Sequence, residues 1–308
     1  MTQQSTSTKA ANDLHWLSVA EKGSVISIAL VVWLATMCGR PPARWLMKAV
    51  ALWYTLLHRR VRQASREFGE RLHGRPRTLR EVYRHVLCFA EATLDRLWLV
   101  QGRGDLFTVT RTGHDYLVQL AAAQSGAILL SAHLGSTAAM SIGNYDEKLK
   151  IRVVGYFRNA KIINAALARL NPRAAAQVVH IEPGQASAVL AMRDRIERGE
   201  ILAIAADRAG LNERVVHADF LGKPAPFPSG PFLLAAMLGC PVYFVCGVFR
   251  APNHYDLYCE PFAEQVILPR KDRQRALQNY VDRYAARTEH FARLAPDNWF
   301  NFYGFWQP

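Results

Sequence analysis

Four short clusters along the chain carry residue types that could do chemistry together. The first is His133, which ends the apolar run AILLSAH (127–133) and precedes Leu134, Gly135 and Ser136. An imidazole leaving the end of a strand can serve as a general base, because its ordinary pKa lets it take up a proton near neutral pH. The same placement also suits a histidine that caps a strand or satisfies a backbone carbonyl. In the second cluster, Tyr156-Phe157-Arg158, the guanidinium could hold a phosphate or an oxyanion, or equally a helix end or a surface carboxylate. The third, Asp207-Arg208, closes EILAIAAD (200–207) and reads either as part of a site or as an internal ion pair. The fourth is GKPAPFPSGP (222–231), in which Phe227, Ser229 and Gly230 could border a pocket or simply open a helix.

The elements that must position these clusters form a repeating pattern. From residue 127 onward, short β-rich runs alternate with longer helical ones: 127–133, 150–157, a helix near 160–170, 177–181, a helix near 185–198, 200–207, a helix near 230–238, and 241–250. DLYCEPF follows as a further strand and 270–294 as a charged helix. Strand, helix, strand repeated in this way predicts an α/β fold with a mostly parallel central sheet flanked by helices. In such folds the carboxyl ends of the strands usually build the site, and the four clusters fall there. Residues 64–122 read as helices, with EVYRHVLCFAEATLDRLWLV the clearest amphipathic stretch.

Charge and hydropathy single out the N-terminal part. The chain has 308 residues and a net charge of +13, half of its residues are hydrophobic and a fifth are charged, which excludes wholesale disorder and a polytopic membrane protein. Residues 39–84 hold twelve Arg or Lys against Glu67, Glu70 and Glu81, and they directly follow fifteen uncharged residues, SVISIALVVWLATMC (24–38). That run is short for a span of ~20 residues. It reads as a short transmembrane helix, a helix lying in the interface or a buried core helix. The segment RWLMKAVALWYTLLHRR beyond it carries Trp45, Leu46, Ala49, Leu52, Trp53 and Leu56 at helical spacing. The expectation is a helical membrane anchor within 1–57, with a disordered start, and a catalytic domain over 58–308 facing the cytoplasm. Because the basic run is joined to this Trp-rich segment, it does not read as a nucleic-acid arm. Five cysteines without a CxxC pair argue against a disulfide framework or a zinc ribbon.

Taken in order, the clusters resemble the lipid A biosynthesis acyltransferase family, a branch of the lysophospholipid acyltransferase superfamily. The resemblance runs from the N-terminal anchor to the end and is densest over 127–250 and 296–306. Where the family's first block has a His, four residues and then Asp or Glu, this chain reads His133-Leu134-Gly135-Ser136-Thr137-Ala138. Its second resembles Gly155-Tyr156-Phe157-Arg158 with Asn159 and Asn164, its third Asp207-Arg208-Ala209-Gly210 with FLGKPAPFPSGP, and its fourth Gly239-Cys240-Pro241-Val242. The ending DNWFNFYGFW (297–306) is similar to the family's aromatic ending.

The resemblance implies a membrane-associated O-acyltransferase that moves a fatty acyl chain from acyl carrier protein thioester to a hydroxyl of a glycolipid or related lipid. Its place would be the cytoplasmic face of the inner membrane. His133 would be the base and Arg158 would bind the acceptor phosphate or the oxyanion. Ser136, Tyr156, Asp207, Arg208, Phe227, Ser229 and Gly230 would shape the substrate sites, with no metal and no organic cofactor. The departure is Ala138, a methyl group where the family has the carboxylate that orients the imidazole. Loss of such an orienting acid costs on the order of 10³–10⁴ in rate by analogy with the serine-protease triad. The chain therefore reads as an inactivated variant of an enzyme, or else as a lipid- or carrier-binding subunit that turns nothing over.

Overall fold

The computed structural model describes residues 25–142, 149–155, 171, 178–180, 186–210 and 213–306. The apolar run becomes helix α1 (Val25–Cys38), followed by α2 (Arg40–Leu57), α3 (Arg59–His73) and α4 (Leu79–Val100). Gly39 breaks the first pair with a φ of 80°, and prolines occupy the first turn of α2, where an N–H has no helical partner to lose. A reciprocal cap starts α4: the Thr78 N–H donates to Glu81 Oε2 at 2.8 Å, and the Glu81 N–H donates to Thr78 Oγ1 at 3.3 Å.

For the helical membrane anchor expected within 1–57, the sequence leaves open a span, an interfacial helix and a buried helix. No described helix is long and apolar enough to cross a membrane. Helix α2 instead packs on α4 through its small side, burying Ala43, Met47 and Ala51. Two arginines from the basic stretch turn inward with it. Arg40 grips Asp95 through Nε at 2.7 Å and Nη2 at 2.9 Å, and Arg44 reaches Glu91 at 2.7 Å. Asp95 is fully buried and also accepts the Tyr255 hydroxyl at 2.9 Å, so α2, α4 and the sheet meet at one carboxylate.

The strands are β1 (Thr108–Thr112), β2 (Ala127–Ser131), β3 (Ile151–Gly155), β4 (Val178–His180), β5 (Ile201–Ala205), β6 (Val215–Phe220), β7 (Lys223–Pro228), β8 (Val242–Arg250) and β9 (His254–Ala263). Seven of them form one sheet in the order β1-β9-β8-β2-β5-β3-β4. All neighbours are parallel except β8 and β9, which form an antiparallel hairpin, so β9 and β1 run against the other five. The sheet is thus mostly parallel, as the alternating pattern requires, and β2 at its centre is buried at every position. Helices α5 (His114–Ala122), α6 (Ala186–Glu197), α7 (Gly230–Leu238) and α8 (Arg273–Leu294) complete the α/β fold. The helix expected near 160–170 lies outside the described residues.

Two elements differ from the expected pattern. Residues 108–112, expected to be helical, form β1, because four of the five residues of TVTRT are β-branched and the segment finds an open edge at β9. The Pro-rich loop is β7, paired antiparallel with β6 outside the main sheet. Pro224, Pro226 and Pro228 alternate along β7, so each missing N–H falls on the same edge, and in a two-stranded ribbon the outer edge needs no donor. Leu221 and Gly222, both at positive φ, close this hairpin in two residues, with the Leu221 N–H donating to Glu289 Oε2 at 2.6 Å.

Candidate active site

Strand register brings His133 and Asp207 together. Strands β2 and β5 are parallel neighbours with Ser131 opposite Ala205, and the Ala206 N–H donates to Ser131 O at 2.9 Å. Two residues further along each strand stand His133 and Asp207. His133 Nδ1 lies 2.8 Å from Asp207 Oδ1, and the His133 backbone N–H donates to Asp207 Oδ2 at 2.9 Å. One carboxylate therefore fixes both the ring and the main chain of the same residue. With Asp207 accepting at Nδ1, the neutral ring carries its proton there and presents Nε2 as a base. The His133 side chain is 38% exposed, whereas that of Asp207 is fully buried.

The electrostatics suit that assignment. Burial opposes charge on His133 and the Arg208 guanidinium adds to this, so its pKa lies below the ordinary value of 6.5 even with Asp207 pulling the other way. Burial alone would raise the pKa of Asp207. Its contacts with His133 and the charge of Arg208 outweigh burial and hold it below the ordinary carboxylate range. The resting state at neutral pH is a neutral imidazole bound to an ionised carboxylate. The expectation that His133 lacks an anionic partner is corrected: position 138 is indeed a methyl group, but the partner comes from the neighbouring strand.

The loop after His133 is braced on two sides. Gly135 takes a φ of 64°, and its N–H donates to Asn298 O at 2.8 Å, while the Ser136 N–H donates to Gly247 O on β8 at 2.7 Å. A Cβ on Gly135 would stand 2.0 Å from Gly247 O, and one on Gly247 2.5 Å from Ser136 O, so both positions require glycine. From the C-terminal side the Phe300 N–H donates to His133 O at 2.9 Å. Asn298 exchanges two bonds with Phe249, its Oδ1 accepting at 2.8 Å and its Nδ2 donating at 3.0 Å. Below the strand end, the Tyr284 hydroxyl of α8 donates to Ser131 O at 2.6 Å.

The remaining expected site residues are not all brought to the dyad. Arg208 stands beside the dyad, where Nε donates to Asn301 Oδ1 at 2.6 Å and Nη2 to Phe300 O at 2.8 Å. Asn301 in turn donates to Asp207 Oδ2 at 3.2 Å, tying the dyad to the C-terminal segment. Ser136 is buried, and its Oγ has no partner among the described residues. Farther off, Phe227 is fully buried against Phe220, Tyr284 and Phe305, and its link to the dyad runs through Tyr284. Ser229 is the buried N-cap residue of α7, and the Gly230 N–H is held by Glu213, whose carboxylate also accepts the Gly210 N–H at 2.7 Å. Tyr156 and Arg158 lie outside the described residues. Ala138 sits in the 3-10 turn Thr137–Ser141, packed toward α4.

Sequence reading missed Asn298, Asn301 and Tyr284. The aromatic ending was visible, but nothing in its pattern shows that its two asparagines would meet the strand ends. Among the described residues no group of three His, Cys, Asp or Glu side chains could hold a metal. A family model described as bacterial lipid A biosynthesis acyltransferase matches residues 23–307. No sequence among the curated proteins matches the chain.

Proposed function

The chain belongs to the bacterial lipid A biosynthesis acyltransferase family, and from that premise we propose that it moves a fatty acyl chain from acyl carrier protein thioester to a hydroxyl of a glycolipid or related lipid. His133 is the general base. Its Nε2 takes the proton of the acceptor hydroxyl as the oxygen attacks the thioester carbon, and Asp207 stabilises the imidazolium that forms. When the tetrahedral intermediate collapses, the C–S bond breaks and His133 returns the proton to the leaving thiolate. Arg158 and the orphan Ser136 hydroxyl serve the oxyanion or the acceptor. The observation that carries this reading is the 2.8 Å contact between His133 and a buried carboxylate at the ends of adjacent parallel strands.

Membrane association belongs to the same proposal. Trp33, Met37, Trp45, Leu52, Trp53, Leu56 and Leu57 are all exposed, and they gather on α1 and α2. Apolar side chains of this size on one face, with Lys48, Arg59, Arg60 and Arg62 nearby, suit a pair of helices lying in the interface of an anionic leaflet. The reading puts the protein at the cytoplasmic face of the inner membrane, with a lipid as its acceptor.

Ala138 supports a second reading, a lipid- or carrier-binding subunit. Transfer assays with purified protein, acyl carrier thioester and lipid acceptor separate the two. His133→Ala and Asp207→Asn are each expected to lower the rate by on the order of 10⁴, while Ala138→Glu changes it less than tenfold, because Nδ1 is already taken. Wild-type rates in Asp207→Asn would remove the dyad. A gain of several orders of magnitude in Ala138→Glu would mean that this chain is impaired at 138, and no His133-dependent transfer in either form would leave the binding subunit.

A further inference from the structure

Arg96 lies in α4 on the face that carries Ala92 and Leu99, one turn to either side. Both of those neighbours are buried in the cluster that joins α4 to Ala138, Ala139 and Met140, in the turn after His133, and to Phe300. The guanidinium is therefore carried toward the turn that follows the base, and its charge is felt at His133 alongside that of Arg208.

The neighbouring arginines are engaged: Arg40 by Asp95, Arg44 by Glu91, Arg77 by Asp297 and Arg208 by Asn301. Arg96 is half-buried, and among the described residues no hydrogen bond, ion pair or ring contact reaches it. Its sequence neighbour Asp95 is committed to Arg40 and Tyr255. Burial, with no carboxylate among the described residues to offset it, lowers the Arg96 pKa. An uncompensated cation inside a protein is costly unless something from outside supplies the opposite charge. A guanidinium is the side chain best matched to a phosphate, which it can grip with two parallel N–H bonds.

We propose that Arg96 is an anion receptor beside the turn that follows His133, holding a phosphate group of a bound substrate. The identity of that substrate rests on the acyltransferase reading. A phosphate is available from either of its partners, the phosphodiester of a pantetheine arm on the donor or a phosphate on the lipid acceptor.

Inorganic phosphate titrated into the full-length protein at low salt, followed by calorimetry, tests the site directly. Wild type is expected to bind it saturably, Arg96→Met at least tenfold more weakly, and Arg96→Lys in between. Without phosphate, Arg96→Met should melt at or above the wild-type temperature, since it removes a cation that no described residue pairs and keeps the stem. Equal phosphate binding by Arg96→Met, or a lowered melting temperature, overturns the proposal. Transfer assays with acyl-pantetheine donors and lipid acceptors, each with and without phosphate, then identify the source. The roughly tenfold KM penalty of Arg96→Met should vanish for the partner whose phosphate has been removed. A penalty that persists with both phosphates absent overturns the proposal. The titration needs no acyl transfer, so failure of the His133 chemistry and failure of the anion site are told apart.

Discussion

Two tryptophan-bearing stretches of this chain meet opposite fates. Trp33, Trp45 and Trp53 on α1 and α2 are 58%, 70% and 49% exposed, whereas Trp299 in the C-terminal segment is fully buried. Trp299 lies among Phe68, Phe220 and Phe305, and its backbone carbonyl accepts from His85 Nε2 at 2.6 Å. Helix α2 does the reverse of an ordinary surface helix, burying alanines and presenting its largest apolar side chains outward. The C-terminal aromatics complete the protein's own core. The N-terminal ones form an apolar patch that the described residues do not cover.

The comparison is broken most severely at the buried end. Trp299→Ala should cost about 3–5 kcal/mol, read from denaturant midpoints, and should lower any His133-dependent rate as well, because Leu134 bridges to Trp299. A comparable loss is expected from Arg40→Ala, about 3–5 kcal/mol, since it strands the buried Asp95 carboxylate. For the same reason, deleting 1–57 is a poor probe of membrane binding, as it would remove Arg40 and Arg44 with the exposed face. Asn298→Ala should cost about 1–3 kcal/mol by leaving both backbone groups of Phe249 unpaired.

A pH profile sharpens the same boundary. His85 is fully buried, its Nδ1 2.9 Å from Ser65 Oγ and its Nε2 on the Trp299 carbonyl, and burial holds its pKa well below 6.5. Below pH 6.5 the unfolded chain takes up a proton at this site that the folded one refuses, so stability should fall with acidification from there. His85→Gln should flatten that part of the profile; an unchanged slope would remove His85 from the account. The smallest effect on stability belongs to the exposed end. Trp33, Trp45 and Trp53 replaced together by Ser should change stability by no more than about 0.5 kcal/mol each, yet weaken co-sedimentation with anionic vesicles. High salt should not release the wild-type protein from them; complete release would mean that charge alone holds it.

Much of this arrangement is legible before any coordinates. AILLSAH and EILAIAAD declare themselves as buried strands ending in a base and an acid, and α7 falls where its Pro and Gly signals put it. What strand composition cannot reveal is adjacency. Only the order β8-β2-β5-β3 makes β2 and β5 neighbours, and only their register sets His133 level with Asp207. Without that, attention falls on position 138, close in sequence, and overlooks a carboxylate 74 residues away. Helix α2 shows the converse. Its basic and apolar residues were plain, but which arginines face a buried acid depends on α4, and no local pattern encodes that.

The bracing of the His133 loop also bears on when the site comes into being. Asp207 follows His133 by 74 residues, and Asn298, Trp299, Phe300 and Asn301 come later still. A chain emerging from the ribosome thus carries its base long before it carries the carboxylate, and the carboxylate long before the asparagine that tethers it. On the proposed function, a site able to act on a thioester is complete only when the C-terminal segment has reached the strand ends. On that reading competence arrives with the closing of the last contacts, and any His133-dependent transfer reports a chain whose C-terminal segment has docked.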